Sequence, residues 1–315
     1  MNTRKRTKPM FESALMIAIA IVLIFSGMYV PFLGFAVILL PVPFVIIGVR
    51  HGLRYNIISL VAAMILISTF QGLLITLAIF IVVGFSSLAM AYTIKRNYSF
   101  NRIIFFSVVS SLIALLLIVA VLFSFSDFDI AQQFEEAVKM NNEMNREFFM
   151  RLGIEENQLD ETMKIQTMAM ERMLILVPSI MFFAVSINTL INYGVTASIL
   201  RRSSHYIQKP TKLSYFRLPQ NILTGTMVVV VLTYIMKLVK FVKFDALLLN
   251  VIAIFSMIYL IQGLAVVSYF IEKRGVKKVL RRIILVFLFL IPTIANILPY
   301  VGLFDIMFNI RKLES

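Results

Sequence analysis

Of the 315 residues, 60% are hydrophobic and only 15% charged, and the mean hydropathy is +0.92. That much apolar surface cannot be hidden in a soluble core of this length, which excludes a soluble enzyme or binding domain and makes lipid the solvent that fits. The net charge of +14 is not a nucleic-acid footprint, because its cations sit in short loops beside apolar runs, and the absence of cysteine excludes thiol catalysis, disulfides and thiolate metal sites.

Arg4, Lys5, Arg6 and Lys8 precede an apolar run from Ser13 to Val30. The run is long, no small-x-small cleavage site follows it, and further spans come directly after, so it is expected to stay as an uncleaved first helix. The uncharged stretch 13–49 is too long for one span, and Pro31 with Gly34 divides it into two. Arg50 to Arg54 form the first turn back. The stretch 55–94 again holds two spans, divided near Gln71 and Gly72. Ile103 to Phe125 is the fifth.

Residues 126–172 carry eleven acidic and five basic residues with no proline. They are expected to form a helical insertion or helix pair outside the membrane, on the extracytoplasmic face. Residues 173–200 hold the sixth span, and 201–220 form a basic cytoplasmic loop. The segment 221–315 carries spans seven to nine, with the densest basic loop at Lys273, Arg274, Lys277, Lys278, Arg281 and Arg282. Pro292 and Pro299 leave two readings of the last stretch, a full crossing or a re-entrant bend. With residues 1–125 holding the first five helices, the expected fold is an all-α integral membrane protein, a polytopic bundle of eight or nine transmembrane helices. Twenty of the thirty Lys and Arg fall on the cytoplasmic side if the N-terminus lies there.

No acidic or basic side chain falls in the middle of a span, which disfavours an ion-coupled carrier, a membrane protease or a lipid hydrolase. Glu12 and Asp305 are expected to be interfacial charges. His51 and His205 have no carboxylate beside them in sequence and make no metal site. Asn188 and Asn192, at i and i+4 on span six, form a candidate intramembrane polar site with Gln262 and Asn296. The plainer role for each is a hydrogen bond gluing two helices, worth about 0.6–2 kcal/mol. Small residues one turn apart, Ala14 with Ala18 and Gly194 with Ser198, mark faces where a helix can approach closely. Ala14 and Ala18 are the candidate contact for a partner helix. Lys237, Lys240 and Lys243 read as snorkelling lysines at an interface.

Three features carry a family resemblance: Leu40-Pro41-Val42-Pro43 followed by Val49-Arg50-His51-Gly52, the insertion before span six, and Gly302-Leu303-Phe304-Asp305 with Arg311-Lys312. With them the chain resembles the YybS-like bacterial membrane proteins, a group distantly similar to the substrate-binding S components of energy-coupling factor transporters. The resemblance implies a bacterial plasma-membrane location and a six-helix N-terminal core that captures a solute. It also implies coupling to a transmembrane protein and ATPase subunits, with Ala14 and Ala18 standing where the coupling face of the first helix would lie. The chain has no G-x-x-x-x-G-K-[ST], so ATP would be hydrolysed by a partner. The acidic insertion and the extra C-terminal helices depart from that pattern, and no vitamin-binding residues are recognisable. The expected function is a non-catalytic, solute-binding or transport-associated subunit without a cofactor; the alternative is a membrane scaffold or regulatory anchor.

Overall fold

In lipid, each backbone N–H must find its carbonyl within its own segment, so long uncharged runs become helices. The computed structural model describes residues 3–30, 32–125, 130–151, 156–203, 206–239 and 243–313. Among them are twelve α-helices and no strand. The chain is an all-helical membrane protein. Eight stretches are long and apolar enough to cross a membrane, and a ninth would come from one bent helix pair.

The chain divides into two units. Unit 1 comprises Met1–Asp129 and Phe183–Pro210, and unit 2 comprises Ile130–Phe182 and Thr211–Ser315. The acidic insertion and the first turns of the sixth span therefore group with the C-terminal helices, whereas the sequence reading set the six N-terminal spans apart.

Unit 1 contains α1 (Thr3–Tyr29), α2 (Pro41–His51), α3 (Leu53–Gln71), α4 (Leu73–Lys95), α5 (Phe100–Phe125) and most of α8 (Val177–Arg202). The second span is not one continuous α-helix. A 3-10 turn at Gly34–Leu39 leads into α2, whose first residue is Pro41. Proline has no N–H to donate, so it suits a first turn and not an interior. Pro31, the predicted break, lies outside the described residues. Pro41 through Gly48 are all buried, as expected of a helix apolar on every side. Two cores meet on α2. One gathers Val42, Val45, Met90, Ile103, Tyr193 and Leu200; the other gathers Ile24, Phe44, Ala63, Ile67 and Phe80. The breaks between α2, α3 and α4 fall at Gly52 and Gly72, with φ of 101° and 80°, values that side chains other than glycine rarely adopt.

Unit 2 contains α6 (Ile130–Arg151), α7 (Glu156–Ile175), the start of α8, α9 (Asn221–Val239), α10 (Phe244–Lys273), α11 (Lys278–Leu290) and α12 (Pro292–Phe308). The insertion is a helix pair with a polar seam: Asn142 Nδ2 donates to Thr167 Oγ1 at 3.2 Å, and Gln166 Nε2 to Asn141 Oδ1 at 2.6 Å. Lys237 lies in the last turn of α9 with its ammonium 4.8 Å from the Phe244 ring centre, Lys243 precedes α10, and Lys240 lies outside the described residues.

The last apolar stretch is broken at Pro292, where α11 and α12 meet at a bend of 104°; Pro299 lies inside α12 without ending it. Both ends of this pair sit beside the same segment. At the entry, Glu272 binds both Arg281 and Lys212. At the exit, Arg311 donates to the carbonyls of Ser214 and Phe216. Two residues of chain, ~7 Å at full extension, separate Lys212 from Ser214, whereas crossing the hydrocarbon requires about 30 Å. The pair therefore enters and leaves at one end of unit 2, as a re-entrant hairpin would, which leaves eight candidate crossings among the described residues.

Helices α10 and α12 touch backbone to backbone. A methyl group on Gly263 would lie 2.1 Å from the Leu298 carbonyl oxygen, and one on Gly302 would lie 2.0 Å from that of Tyr259. Backbone cannot swing aside as a side chain can, and overpacking costs about 1–3 kcal/mol or more. Gly263→Ala and Gly302→Ala are each expected to lower the melting temperature of the detergent-purified protein. Gly225→Ala, with nothing within 4 Å of the added carbon, is expected to leave it unchanged or raise it.

Candidate functional site

Unit 1 buries twelve neutral polar side chains, and among the described residues it buries no charged one. Several hydroxyls turn back onto their own helix: Ser59 donates to the Tyr55 carbonyl at 2.7 Å, Thr76 to Gly72 at 2.8 Å and Thr93 to Ala89 at 2.8 Å. These bonds need no ligand. Asn192 behaves differently. It is wholly buried, and its Nδ2 donates to the carbonyl of Ile38 at 3.0 Å and that of Asn188 at 2.9 Å, and also to the Asn188 side chain. Ile38 belongs to the 3-10 turn, whose carbonyls lack the bonding of a regular helix. Asn192 thus closes a backbone gap, while its own Oδ1 has no partner. One turn further along α8, the buried Thr196 Oγ1 also has none, and neither has Asn56 Nδ2 or Ser107 Oγ.

On α1, Ser13, Ala20 and Ile24 point inward, while Ala14 and Ala18 are exposed together with Phe11, Leu15 and Val22. Gly194 and Ser198 on α8 are exposed as well. The interfacial expectation for Glu12 needs refinement, because one carboxylate oxygen accepts from Arg50 Nη1 at 3.2 Å and lies 2.8 Å from His51 Nε2. His51 therefore does have a carboxylate beside it, supplied from 39 residues away. His205 lies outside the described residues.

In unit 2 the expectation for Asp305 needs refinement, because this charge near a span end is buried and paired. Its side chain is 2% exposed and that of Arg311 is wholly buried. Arg311 Nη2 and Nε bind Asp305 Oδ2 at 2.8 and 3.1 Å, and the Arg311 backbone N–H donates to Oδ1 at 3.2 Å. The remaining guanidinium bonds reach the Ser214 and Phe216 carbonyls, at 2.9 and 2.8 Å. Gln262 Nε2 donates to Asp305 Oδ2 at 2.8 Å and its Oε1 accepts from the Leu218 N–H at 3.0 Å. Asn309, at φ 47°, turns the chain so that Arg311 can fold back. The pair is buried because every oxygen and most of the guanidinium are satisfied.

The four sequence-predicted amides are not brought into one site. Asn188 and Asn192 lie together on α8 in unit 1, Gln262 joins the Asp305 cluster in unit 2, and Asn296 is exposed on α12. A further amide, missed in sequence, is Asn250. Its Oδ1 accepts from the Ser179 N–H at 3.0 Å, and its Nδ2 donates to the Ile175 carbonyl at 2.7 Å, which bridges the break between α7 and α8. Its signal was that of a lone amide in an apolar span. Among the described residues, no group of three or more His, Asp and Glu is arranged to hold a metal ion.

The family described as predicted membrane proteins, DUF2232, matches residues 18–306. The chain belongs to this family. It is also 23% identical to "Uncharacterized protein YybS" of Bacillus subtilis (strain 168), over 98% of this chain and 99% of that one. The family resemblance read from the three sequence features therefore holds across nearly the whole length. No solved structure matches the chain.

Removing one member of a buried, hydrogen-bonded ion pair costs about 3–5 kcal/mol, because the other charge is stranded. Asp305→Asn and Arg311→Met are each expected to lower the melting temperature sharply. The double variant Asp305→Leu/Arg311→Met is expected to recover part of that loss. Thermal denaturation of all three in one detergent makes the comparison.

Proposed function

We propose that the chain is a non-catalytic subunit of the bacterial plasma membrane that binds an uncharged polar solute within unit 1 and draws energy from partner proteins, as S components do. One observation carries this reading: unit 1 buries neutral hydrogen-bonding side chains, with no buried charge among the described residues. Such groups can replace the water lost by a neutral polar solute, and Asn192 Oδ1 and Thr196 Oγ1 have bonding capacity to spare. Proton-coupled carriers keep a charged residue in the bundle, and among its described residues unit 1 buries none. A transmembrane coupling protein with ATPase subunits would supply the energy. The exposed Ala14 and Ala18 of α1 suit close approach by such a partner helix, with the N-terminus in the cytoplasm.

The second reading, a membrane scaffold, is favoured by the α6–α7 pair. Its seam is polar while Met140, Met144, Met168 and Met173 face outward, and methionine surfaces adapt to varied partners.

Purification in mild detergent followed by native mass spectrometry separates the two. A retained small molecule whose occupancy drops about tenfold in Asn192→Ala, the equivalent of one hydrogen bond at about 1.4 kcal/mol, supports solute binding. Ala14→Trp/Ala18→Trp is expected to release co-purifying ATPase subunits without releasing that molecule. A stable partner set with no ATPase and no small molecule would select the scaffold.

A further inference from the structure

Residues 273–282 contain six Lys or Arg and no acid. The nearest carboxylate, Glu272, is shared by Arg281 at 2.5 Å and Lys212 at 3.9 Å. These three residues, with Val276 and Lys278, line an open recess of about 240 Å³. Three cations against one carboxylate leave the recess with two excess positive charges. Lys273, Arg274, Lys277 and Arg282 stand exposed around it.

Local helix electrostatics account for Lys273 and Arg274 at the end of α10 but not for the rest of this cluster. Cations are favourable at the end of a helix, as Arg201 and Arg202 are in the last turn of α8. Lys278, Arg281 and Arg282 instead occupy the beginning of α11, where the backbone already presents partial positive charge. From Ile283 to Leu290 the same helix carries no charge, and Ile283, Val286, Phe287 and Leu290 are exposed. A cationic recess is thus continuous with an uncovered apolar helix.

We propose that this corner of unit 2 binds an anionic phospholipid, its phosphate in the recess at Lys212 and Lys278 and its acyl chains along α11. Charge complementarity selects the occupant. A zwitterionic lipid would bring its own cation to a cationic recess, and free phosphate would leave the apolar face bare. Basic residues beside a membrane draw anionic lipids in this way. Arg281 stays paired with Glu272 and holds the wall of the recess.

The test is native mass spectrometry of the delipidated full chain titrated with phosphatidylglycerol or phosphatidylcholine. Wild type is expected to retain phosphatidylglycerol selectively. Lys277→Gln/Lys278→Gln/Arg282→Gln is expected to retain roughly ten- to a hundredfold less, and Arg201→Gln/Arg202→Gln/Lys209→Gln, with the same change in charge, to match wild type. If the first triple variant does not fold, Lys278→Glu alone makes the same comparison. Equal retention of phosphatidylcholine, equal loss in both triple variants, or displacement of the lipid by excess inorganic phosphate would each overturn the proposal.

Discussion

Unit 2 is organised around a carboxylate and a guanidinium that water does not reach. Ionised groups in apolar surroundings persist only when each is paired and its remaining bonding capacity is filled. Asp305 and Arg311 meet that condition by recruiting groups from three other places: the Gln262 amide on α10, the carbonyls of Ser214 and Phe216, and, through Gln262, the N–H of Leu218. The cluster therefore fixes the course of segment 211–218, the docking of α12 on α10 and the fold-back of the tail together. The contact at Gly263 and Gly302 brings the two helices close enough for Gln262 to reach the carboxylate. The re-entrant course of α11 and α12 follows from these bonds at the exit together with those of Glu272 at the entry.

A related rule runs through both units. Buried backbone groups outside regular helix need partners from elsewhere in the protein, and at three such places an amide side chain supplies one. Asn192 serves the carbonyl of Ile38 in the 3-10 turn, Asn250 bridges the break between α7 and α8, and Gln262 accepts from Leu218 in the loop. These amides are thus first of all backbone staples. What sets Asn192 apart is its vacant oxygen beside the unpartnered Thr196, in a unit without buried charge. The solute-binding reading rests on that remainder.

The spans were legible because lipid imposes length and hydropathy, and the break at Gly72 because glycine there interrupts an apolar run. What stayed hidden depends on distant pairing. The burial and pairing of Asp305 stay hidden until Asn309 adopts a left-handed turn and returns Arg311 to it. Glu12 and His51 are likewise 39 residues apart. Pro292 and Pro299 were both visible as possible bends, but only the bonds at the two ends of α11 and α12 decide between bending and crossing. Asn250 and Asn296 look alike in sequence; one staples a helix break and the other lies on the surface.

The central claim is that the buried ion pair holds the C-terminal tail on the same side as the basic loop before α9. Because the chain has no cysteine, single cysteines report sidedness without background. Lys312→Cys, Lys209→Cys and Lys243→Cys can each be exposed to a membrane-impermeant maleimide in sealed vesicles of one orientation. The account predicts that residue 312 is labelled together with residue 209 and protected when residue 243 is labelled. Labelling of residue 312 together with residue 243 would contradict it.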